Sequence, residues 1–364
     1  MAVEPKAPRL SIAALHASYA SGAQTPESVV ASVFERIGRE SGNPVWIALR
    51  RREDVAAEAR ALAARPGAAG LPLYGVPFAV KDNIDVAGMP TTAACPAFAY
   101  TPPRSAVCVD LLRAAGALLI GKTNLDQFAT GLVGVRSPYG AVCNAFDAAY
   151  VSGGSSSGSG VAVARGMVSF ALGTDTAGSG RIPAGFNDIV GCKPTRGLFS
   201  TSGVVPACRS LDCVSVFAGD VADVARIFPV LDIADPSDPC GRDARAPAAV
   251  PSAPLRVGVP LDRNLDFFGD AEYQRLFGVA VERLAELGVT VVPVDVEPFI
   301  QAGALLYAGP WVAERYAAVG EFITRHPEAA DPVVREIIAR GVDYSAVDAF
   351  RGLYRLGELR RAAA

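Results

Sequence analysis

The chain has 364 residues, of which 51% are hydrophobic and 20% charged, and its net charge is −3. This composition excludes a disordered protein, and the charge offers no basic surface for nucleic acid. The N-terminal MAVEPKAPRLS has no apolar run behind a basic start, and no uncharged apolar stretch reaches the ~18 residues of a membrane span. We therefore expect a globular, cytoplasmic protein whose partners include neither nucleic acid nor a membrane.

Cysteine and histidine usage limits the possible chemistry. The seven cysteines are scattered and never occur in C-x-x-C spacing, which predicts reduced thiols. Neither of the two histidines, His16 and His326, has Cys, His or Asp residues clustered around it, so we predict no metal site. Both are interpreted as surface or helix-packing residues. A serine nucleophile in this chain would therefore need a base other than histidine.

The predicted elements follow in chain order. Residues 1–65 are predicted to be helical, and Thr25-Pro26-Glu27 supplies a cap, an N1 proline and a first-turn acid for a helix over 26–40. From Leu73 short apolar runs alternate with helical segments, giving strand 75–80, helix 105–116, strand 117–121, helix 160–167, strand 168–175, strand 255–260, helix 270–288 and strand 289–296. This alternation predicts an α/β fold, with a mixed or parallel sheet and helices on its faces. The Pro- and Asp-rich stretch 234–254 is interpreted as a long surface loop or, alternatively, a domain boundary.

GALLIGKT (116–123) matches the phosphate-loop pattern G-x-x-x-x-G-K-[ST] letter for letter. In a phosphate loop the four variable positions form an exposed turn that wraps the phosphates. Here those positions are the apolar residues Ala117 to Ile120, which predict a buried strand. We therefore expect no ATP binding at this motif.

VSGGSSSGSG (151–160) has the composition of a flexible linker, but it also suits a packed turn. A helix with an apolar stripe follows at once, then a strand, then a second glycine- and serine-rich turn, GTDTAGSGR (173–181). Two such turns flanking one helix–strand unit favour two backbone segments that converge on one place. We therefore predict the packed turn.

These stretches carry a family resemblance. Residues 151–197 resemble the amidase signature of the Ser-cisSer-Lys amidohydrolases, 75–92 resemble that family's lysine segment, and GKTNLDQFATG (121–131) resembles its next block. The resemblance implies the amidase signature fold, a mixed β-sheet covered by helices on both faces, and a hydrolase of linear amides without a cofactor. It implies one amidase domain, 1–364, made of N-terminal helices (1–65), a signature core (72–217), the loop 234–254 and a substrate-side α/β portion (255–364).

The family pattern, carried over residue by residue, implies that Ser179 is the nucleophile, Ser155 the bridging serine after a cis peptide bond, and Lys81 the base. The implied oxyanion donors are the backbone N–H groups of Thr176, Ala177, Gly178 and Ser179. Serine needs an adjacent proton acceptor, and lysine can be one only when neutral, against a reference pKa of ~10.4. Burial at the end of the apolar run GVPFAV would supply the desolvation that disfavours the charge of Lys81.

Two further stretches, 200–220 and 303–319, resemble the allophanate hydrolase branch of the family. That resemblance implies hydrolysis of allophanate to ammonia and carbon dioxide in urea degradation, by a homodimer. It also implies Tyr307, Arg315 and Gly131 as substrate-binding residues. A guanidinium can bind the carboxylate of allophanate with two hydrogen bonds.

Tyr307 and Arg315 are predicted to lie about two helical turns apart, broadly on one side of a helix that Pro310 would kink. The chain departs from the family pattern at GELRRAAA (357–364), where it stops in a predicted helix while family members continue. The last part of the amidase sheet is therefore expected to be absent, so an inactive binding fragment is one alternative. Another is a general amidase or the glutaminase subunit of a transfer-RNA amidotransferase.

Overall fold

A computed structural model describes residues 9–40, 42–242 and 255–364 of the chain. The chain divides into two compact units, Met1–Ala244 with Ala313–Val342 and Arg245–Val312 with Asp343–Ala364. The predicted loop 234–254 is described only as far as residue 242, and its remainder lies outside the described residues.

Twelve helices and eight strands are formed by the described residues. The helices are α1 (Ile12–Ala20), α2 (Pro26–Arg39), α3 (Arg52–Ala64), α4 (Val107–Ala114), α5 (Ser157–Ala164), α6 (Arg181–Phe186), α7 (Val221–Leu231), α8 (Ala271–Glu286), α9 (Glu297–Ala308), α10 (Val312–Arg325), α11 (Pro332–Ala339) and α12 (Ala346–Ala363). The strands are β1 (Trp46–Leu49), β2 (Pro77–Lys81), β3 (Leu118–Thr123), β4 (Phe170–Thr174), β5 (Val190–Cys192), β6 (Val214–Ala218), β7 (Arg256–Pro260) and β8 (Thr290–Val294).

The first unit is built on a six-stranded sheet with the order β1-β3-β2-β4-β6-β5. Strand β2 is parallel to both β3 and β4, whereas β1, β6 and β5 each run antiparallel to a neighbour. The sheet is therefore mixed, as predicted. Its three parallel central strands all end at the same edge, which is where ligands bind in open α/β sheets.

Helices cover both faces of this sheet. Successive strand residues point to opposite faces, so Phe78 and Val80 of β2 pack with α4 and α7, whereas Ala79 packs with α2, α3 and α5. Because both faces are buried, the central strands consist of continuous apolar runs. The predicted mixed α/β fold with helices on both faces is confirmed.

One part of the N-terminal prediction is wrong, because residues 1–65 are not all helical. Trp46–Leu49 forms the edge strand β1, which pairs antiparallel with β3. The strand has four residues, too few to show a clear period of two. Its pairing depends on Gly121, since a Cβ atom there would lie 2.4 Å from the carbonyl oxygen of Ala48.

The lysine of GALLIGKT lies in β3 and has no exposed surface. Lys122 forms an ion pair with Asp82 at 2.9 Å and donates to the hydroxyl of Thr91 at 2.7 Å and the carbonyl of Pro90 at 3.0 Å. The predicted buried strand is confirmed. Lys122 is thus held inside the protein by a carboxylate, and the motif provides no phosphate-wrapping turn.

The second unit contains the parallel pair β7 and β8, joined by α8 as predicted. Helices α9 and α12 also lie in this unit, where a Cβ atom on Gly352 would come within 2.5 Å of the Pro310 ring. Among the helices of the described ranges, none combines the length and apolar character that crossing a membrane requires.

Candidate active site

Lys81 occupies the last position of β2, at the edge where the parallel strands end. Its Nζ atom donates to the hydroxyl of Ser155 at 2.8 Å and to that of Thr174, the last residue of β4, at 2.7 Å. The side chain has no exposed surface. The parallel pairing of β2 and β4 thus brings a buried lysine and two hydroxyls together.

Burial determines the protonation state of Lys81. Desolvation lowers the pKa of the amine from 10.5 to about 7, although the carboxylates of Asp126, Asp212 and Asp175 act to raise it. A substantial fraction of the amine is therefore neutral at pH 7. A neutral amine at hydrogen-bonding distance can accept a proton from a hydroxyl.

The stretch 151–160 is a packed turn that leads into α5, which begins at Ser157. Every residue from 152 to 160 is buried. The peptide bond between Gly154 and Ser155 is cis, as predicted. The prediction of a turn rather than a linker is therefore confirmed.

Backbone contacts fix this turn against the segment 126–136. The amide of Gly154 donates to the carbonyl of Leu132 at 2.8 Å, and the carbonyl of Ser155 accepts from the amide of Asp126 at 3.0 Å. A Cβ atom on Gly154 would lie 2.2 Å from the Asp126 carboxylate. Close approach of these two segments therefore requires glycine at position 154.

Ser179 lies in the second glycine- and serine-rich turn and is 4% exposed. Its carbonyl accepts a hydrogen bond from the amide of Ser156 at 3.4 Å. The two turns therefore meet, as the sequence predicted, and Ser179 lies beside the turn that carries Ser155.

Asp175 organises the turn that carries Ser179. Its fully buried carboxylate accepts from the amides of Gly178 at 2.8 Å and Gly180 at 3.1 Å, and from Nε and Nη2 of Arg181, both at 2.9 Å. Burial acts to raise the pKa of Asp175, but the bonds from Arg181 and the turn amides outweigh it, and the net pKa is lowered. The carboxylate thus stays ionised and holds the turn.

The bond to Asp175 changes the predicted set of oxyanion donors. Because the amide of Gly178 is directed at the Asp175 carboxylate, it is not available to an oxyanion in this conformation. The candidates that remain are the amides of Thr176, Ala177 and Ser179. The side chain of Thr176 is itself anchored, since its hydroxyl donates to the carboxylate of Asp212.

Sequence reasoning missed three polar residues of this site, namely Thr174, Asp175 and Asp212. For Asp175 a signal was present, because an Asp just before a glycine-rich turn commonly accepts from the amides of that turn. Asp212 gave no such signal, since it lies 36 residues from Thr176. It accepts from the amides of Ala207 and Cys208 at 2.9 and 3.1 Å, and burial raises its pKa.

Arg315 and Tyr307 lie on two different helices, so the predicted single kinked helix is wrong. Helix α9 ends at Ala308 and α10 begins at Val312. Between them Gly309 and Pro310 break the helix, because proline lacks an N–H donor and its ring clashes with the preceding turn. Tyr307 belongs to the second unit and is half-buried, and Arg315 belongs to the first.

Arg315 is 1% exposed, and its Nη1 atom donates to the hydroxyl of Thr130 at 3.0 Å. Gly131 follows Thr130 in the chain and packs against Asp126. A Cβ atom at position 131 would lie 2.6 Å from the Asp126 carboxylate. The structure thus brings Arg315 and the segment of Gly131 together within the first unit.

Fold and site together define an α/β protein in which a buried lysine meets the serines of two glycine-rich turns. The pattern of the family described as Amidase matches residues 29–349, and the chain belongs to that family.

Relatives of known sequence agree with this assignment. The chain is 50% identical over 314 residues to the urea amidolyase of Saccharomyces cerevisiae, covering 85% of this chain and 17% of that protein. It is 41% identical over 295 residues to a component of the glutamyl-tRNA(Gln) amidotransferase of Symbiobacterium thermophilum, covering 78% of this chain and 59% of that component.

Among solved structures, the allophanate hydrolase of Kluyveromyces lactis superimposes with a TM-score of 0.89 and 44% identity, covering 97% of this chain and 58% of that one. The predicted amidase signature fold is thereby confirmed. The chain spans about a fifth of the length of the curated urea amidolyases it matches.

Proposed function

We propose that this chain hydrolyses the amide bond of allophanate, with Ser179 as nucleophile, Ser155 as proton bridge and Lys81 as base. The observation that carries the proposal is the 2.8 Å contact between the buried Lys81 amine and the Ser155 hydroxyl. A lysine whose pKa is about 7 suits a general base at neutral pH. The proximity of the two glycine- and serine-rich turns supports placing Ser179 in the same relay.

In the proposed reaction, neutral Lys81 accepts the proton of Ser155 while Ser155 takes the proton of Ser179. The oxygen of Ser179 attacks the carbonyl carbon, and the electron pair of the C=O bond moves onto oxygen. Amides of the 176–179 turn, other than that of Gly178, stabilise this oxyanion. When the intermediate collapses, the C–N bond breaks and the leaving nitrogen takes the proton back through Ser155, departing as ammonia. Water then cleaves the acyl-serine by the same relay.

The choice of allophanate as substrate rests on the likeness to urea amidolyase and allophanate hydrolase. The proposed final products, in urea degradation, are ammonia and carbon dioxide. Arg315, Tyr307 and Gly131 are the proposed substrate-binding residues. A guanidinium is suited to the allophanate carboxylate because a charge-assisted pair is stronger than a neutral hydrogen bond. The contact of Arg315 with Thr130, next to Gly131, supports placing both residues at one substrate site.

The test is ammonia release from allophanate, biuret, glutamine and simple amides by the 364-residue chain. Ser179→Ala is the inactive reference, and Ser157→Ala is a matched serine variant in the same pair of turns. Selective turnover of allophanate supports the proposal, whereas selective turnover of glutamine supports the amidotransferase alternative. A fluorophosphonate probe adds an independent reading, because failure to label Ser179 would support an inert binding fragment.

We also propose that the chain forms one amidase domain, acts in the cytoplasm and is a homodimer. The cytoplasmic location is supported by the cysteines, all seven of which are free thiols in the described part of the chain. The homodimer rests on the family resemblance. Sedimentation equilibrium of the purified chain tests it, and a monomer at micromolar concentration would contradict it.

A further inference from the structure

The loop 207–212 lies beside the oxyanion turn (176–179), which supplies the candidate oxyanion donors. The turn follows β4 and the loop precedes β6, and these two strands pair antiparallel. The pairing continues past the strands, because backbone hydrogen bonds of 2.8 and 3.2 Å join Asp175 to Cys213. The loop and the turn are therefore neighbouring extensions of two paired strands.

Asp212 connects this loop to the oxyanion turn through its side chain. The residue is 5% exposed, and its carboxylate accepts from the amides of Ala207 and Cys208 at 2.9 and 3.1 Å. The same carboxylate accepts from the hydroxyl of Thr176. A shift of the loop therefore moves Asp212 as well and displaces Thr176, whose amide is a candidate oxyanion donor.

Glu314, in the first turn of α10, binds the same loop. Its Oε2 atom accepts from the amide of Ser210 at 2.9 Å and from the thiol of Cys208 at 3.0 Å. Cys208 has no exposed surface, and burial raises the pKa of its thiol, as does the Glu314 carboxylate. The thiol therefore stays protonated and acts as a donor, so two donors of the loop converge on one carboxylate oxygen.

We propose that Glu314 is a positioning residue for the oxyanion turn, which it holds in place through the loop 207–212 and Asp212. This inference rests on the proposed function, since it concerns stabilisation of the oxyanion formed at the same site. Stabilising an oxyanion lowers the barrier of the chemical step rather than strengthening substrate binding. Loss of the Glu314 acceptor should therefore lower kcat for charged and neutral amides alike.

The experiment compares Glu314→Met, which removes the acceptor, with Glu314→Gln, which keeps it. Because both bonds end on one oxygen, the amide oxygen of glutamine can accept both of them. Loss of a directly bonded oxyanion donor lowers kcat by about 10²–10³, so for the indirect change Glu314→Met we expect about a tenfold decrease with allophanate and with biuret. The KM values should change less than about threefold. Labelling of Ser179 by a fluorophosphonate should slow in parallel, and Glu314→Gln should restore all three readings.

A second substitution tests whether the effect passes through the oxyanion turn. Thr176→Val has a similar shape but cannot donate to Asp212. In that background Glu314→Met should lower kcat by less than about threefold, because residues that act as one unit have non-additive effects. Glu321→Met is the matched control on the same helix, since the side chain of Glu321 is 83% exposed, and its replacement should leave kcat unchanged.

Thermal unfolding of each variant shows whether it is folded at the assay temperature. Should Glu314→Met not fold, Cys208→Ala removes one of the two donors to Glu314, and a decrease in kcat of about threefold is then expected. An unchanged kcat in the folded variant overturns the inference while the proposed function stands. An equal loss from Glu314→Met with and without Thr176→Val also overturns it, because the effect would then bypass the turn.

Two further outcomes separate the inference from the proposed function. A raised KM for allophanate in Glu314→Met, with an unchanged kcat for biuret, overturns the inference, because the change would then act through the adjacent Arg315. If the wild-type chain releases ammonia from biuret but not from allophanate, the choice of allophanate fails, whereas a tenfold lower kcat for biuret in Glu314→Met still supports the inference.

Discussion

Lys81 and Lys122 lie on neighbouring parallel strands, and both are fully buried, yet their partners differ. Lys122, opposite Val80 in the register, forms an ion pair with Asp82 at 2.9 Å. Lys81 instead donates to two hydroxyls, at 2.8 and 2.7 Å. Burial lowers the pKa of both lysines, and carboxylates oppose the shift at both, but at Lys122 the opposing carboxylate of Asp82 is in direct contact with the amine. Lys122 is thus paired with a carboxylate inside the fold, whereas Lys81 contacts two hydroxyls and is suited to proton transfer.

The pH dependence of hydrolysis should report the titration of Lys81. Below its pKa of about 7 the amine is protonated and cannot accept the proton of Ser155. We therefore expect kcat/KM for biuret to rise about tenfold per pH unit below the pKa and to level off above it. The neutral substrate removes the titration of a carboxylate from the profile, and circular dichroism at each pH verifies that the protein is folded. A flat profile between about pH 5.5 and 8.5 would argue against Lys81 as the base.

Removing the charge of Lys122 should destabilise the fold without involving the chemistry directly. Lys122→Met leaves the Asp82 carboxylate buried without its ion-pair partner, and we expect the free energy of unfolding to fall by about 3–5 kcal/mol. Urea denaturation followed by fluorescence measures this loss. The double variant Lys122→Met/Asp82→Asn should recover part of it. A loss below about 1 kcal/mol in the single variant would contradict a structural role for the pair.

The three proposed catalytic residues should behave as one unit. We expect Ser179→Ala to abolish ammonia release, and Ser155→Ala and Lys81→Ala to lower kcat by several orders of magnitude. Because each change breaks the same proton relay, the losses should not add in the double variant Lys81→Ala/Ser155→Ala. Ser157→Ala, whose hydroxyl makes only a 3.4 Å contact with the Asn124 carbonyl, should remain within a few-fold of wild type. Full activity of Lys81→Ala at neutral pH would remove the lysine from the mechanism.

The sequence predicts the parts of this fold that depend on local pattern. The buried strands β2, β3 and β4 are long apolar runs, and burial of β3 was enough to set aside the phosphate-loop match at GALLIGKT. The four-residue β1 and three-residue β5 could not be predicted, because such short strands exist only through their partners in the sheet. The sequence analysis predicts a single helix with a kink at Pro310, whereas the structure has two helices separated at Gly309-Pro310. Both of these residues disfavour a helix, so the break could have been predicted.

The candidate site also contains residues that the sequence predicts and residues that it does not. Lys81, Ser155 and Ser179 are recognisable through the family resemblance, which extends over long stretches of sequence, whereas composition marks only the two glycine- and serine-rich turns that carry the serines. Asp212 could not be found, since its contact with Thr176 spans 36 residues and nothing near it in sequence marks it. The loss of Gly178 as an oxyanion donor is different, because Asp175 lies only three residues before Gly178, and an Asp before a glycine-rich turn was a signal for that contact.

Asp175→Asn should slow catalysis through the shape of the oxyanion turn. Asparagine replaces one acceptor oxygen by an amide donor, so the two-oxygen bonding to Gly178, Gly180 and Arg181 cannot be kept. Loss of a directly bonded oxyanion donor costs about 10²–10³ in kcat, and for this indirect change we expect a decrease of about 10–100-fold with a similar KM. The rate of fluorophosphonate labelling of Ser179 should fall in parallel.

Asp223→Asn is a control for loss of a buried carboxylate. Asp223 is 1% exposed and accepts from the amide of Ile12 at 3.1 Å, away from the candidate site. This variant should lower stability but leave kcat unchanged. If Asp175→Asn and Asp223→Asn reduce kcat equally, Asp175 is needed for folding alone.

Substrate charge provides the test of Arg315. If its guanidinium pairs with the allophanate carboxylate, Arg315→Gln should raise the KM for allophanate by one to two orders of magnitude, since a hydrogen bond to a charged group is worth about 1.5–3 kcal/mol. Biuret has no carboxylate and should be affected much less, and labelling of Ser179 should survive. Tyr307→Phe should give a milder loss, because it removes one neutral hydroxyl.

Arg325→Gln is the matched control for that variant. Arg325 lies on the same helix, α10, with its side chain 64% exposed and paired with Glu321, so its replacement should leave both substrates unchanged. If Arg315→Gln weakens allophanate, biuret and the labelling reaction equally, the buried arginine supports the fold through Thr130 rather than binding substrate. The assignment of allophanate would then depend on sequence likeness alone, because no other proposed residue distinguishes a charged amide from a neutral one.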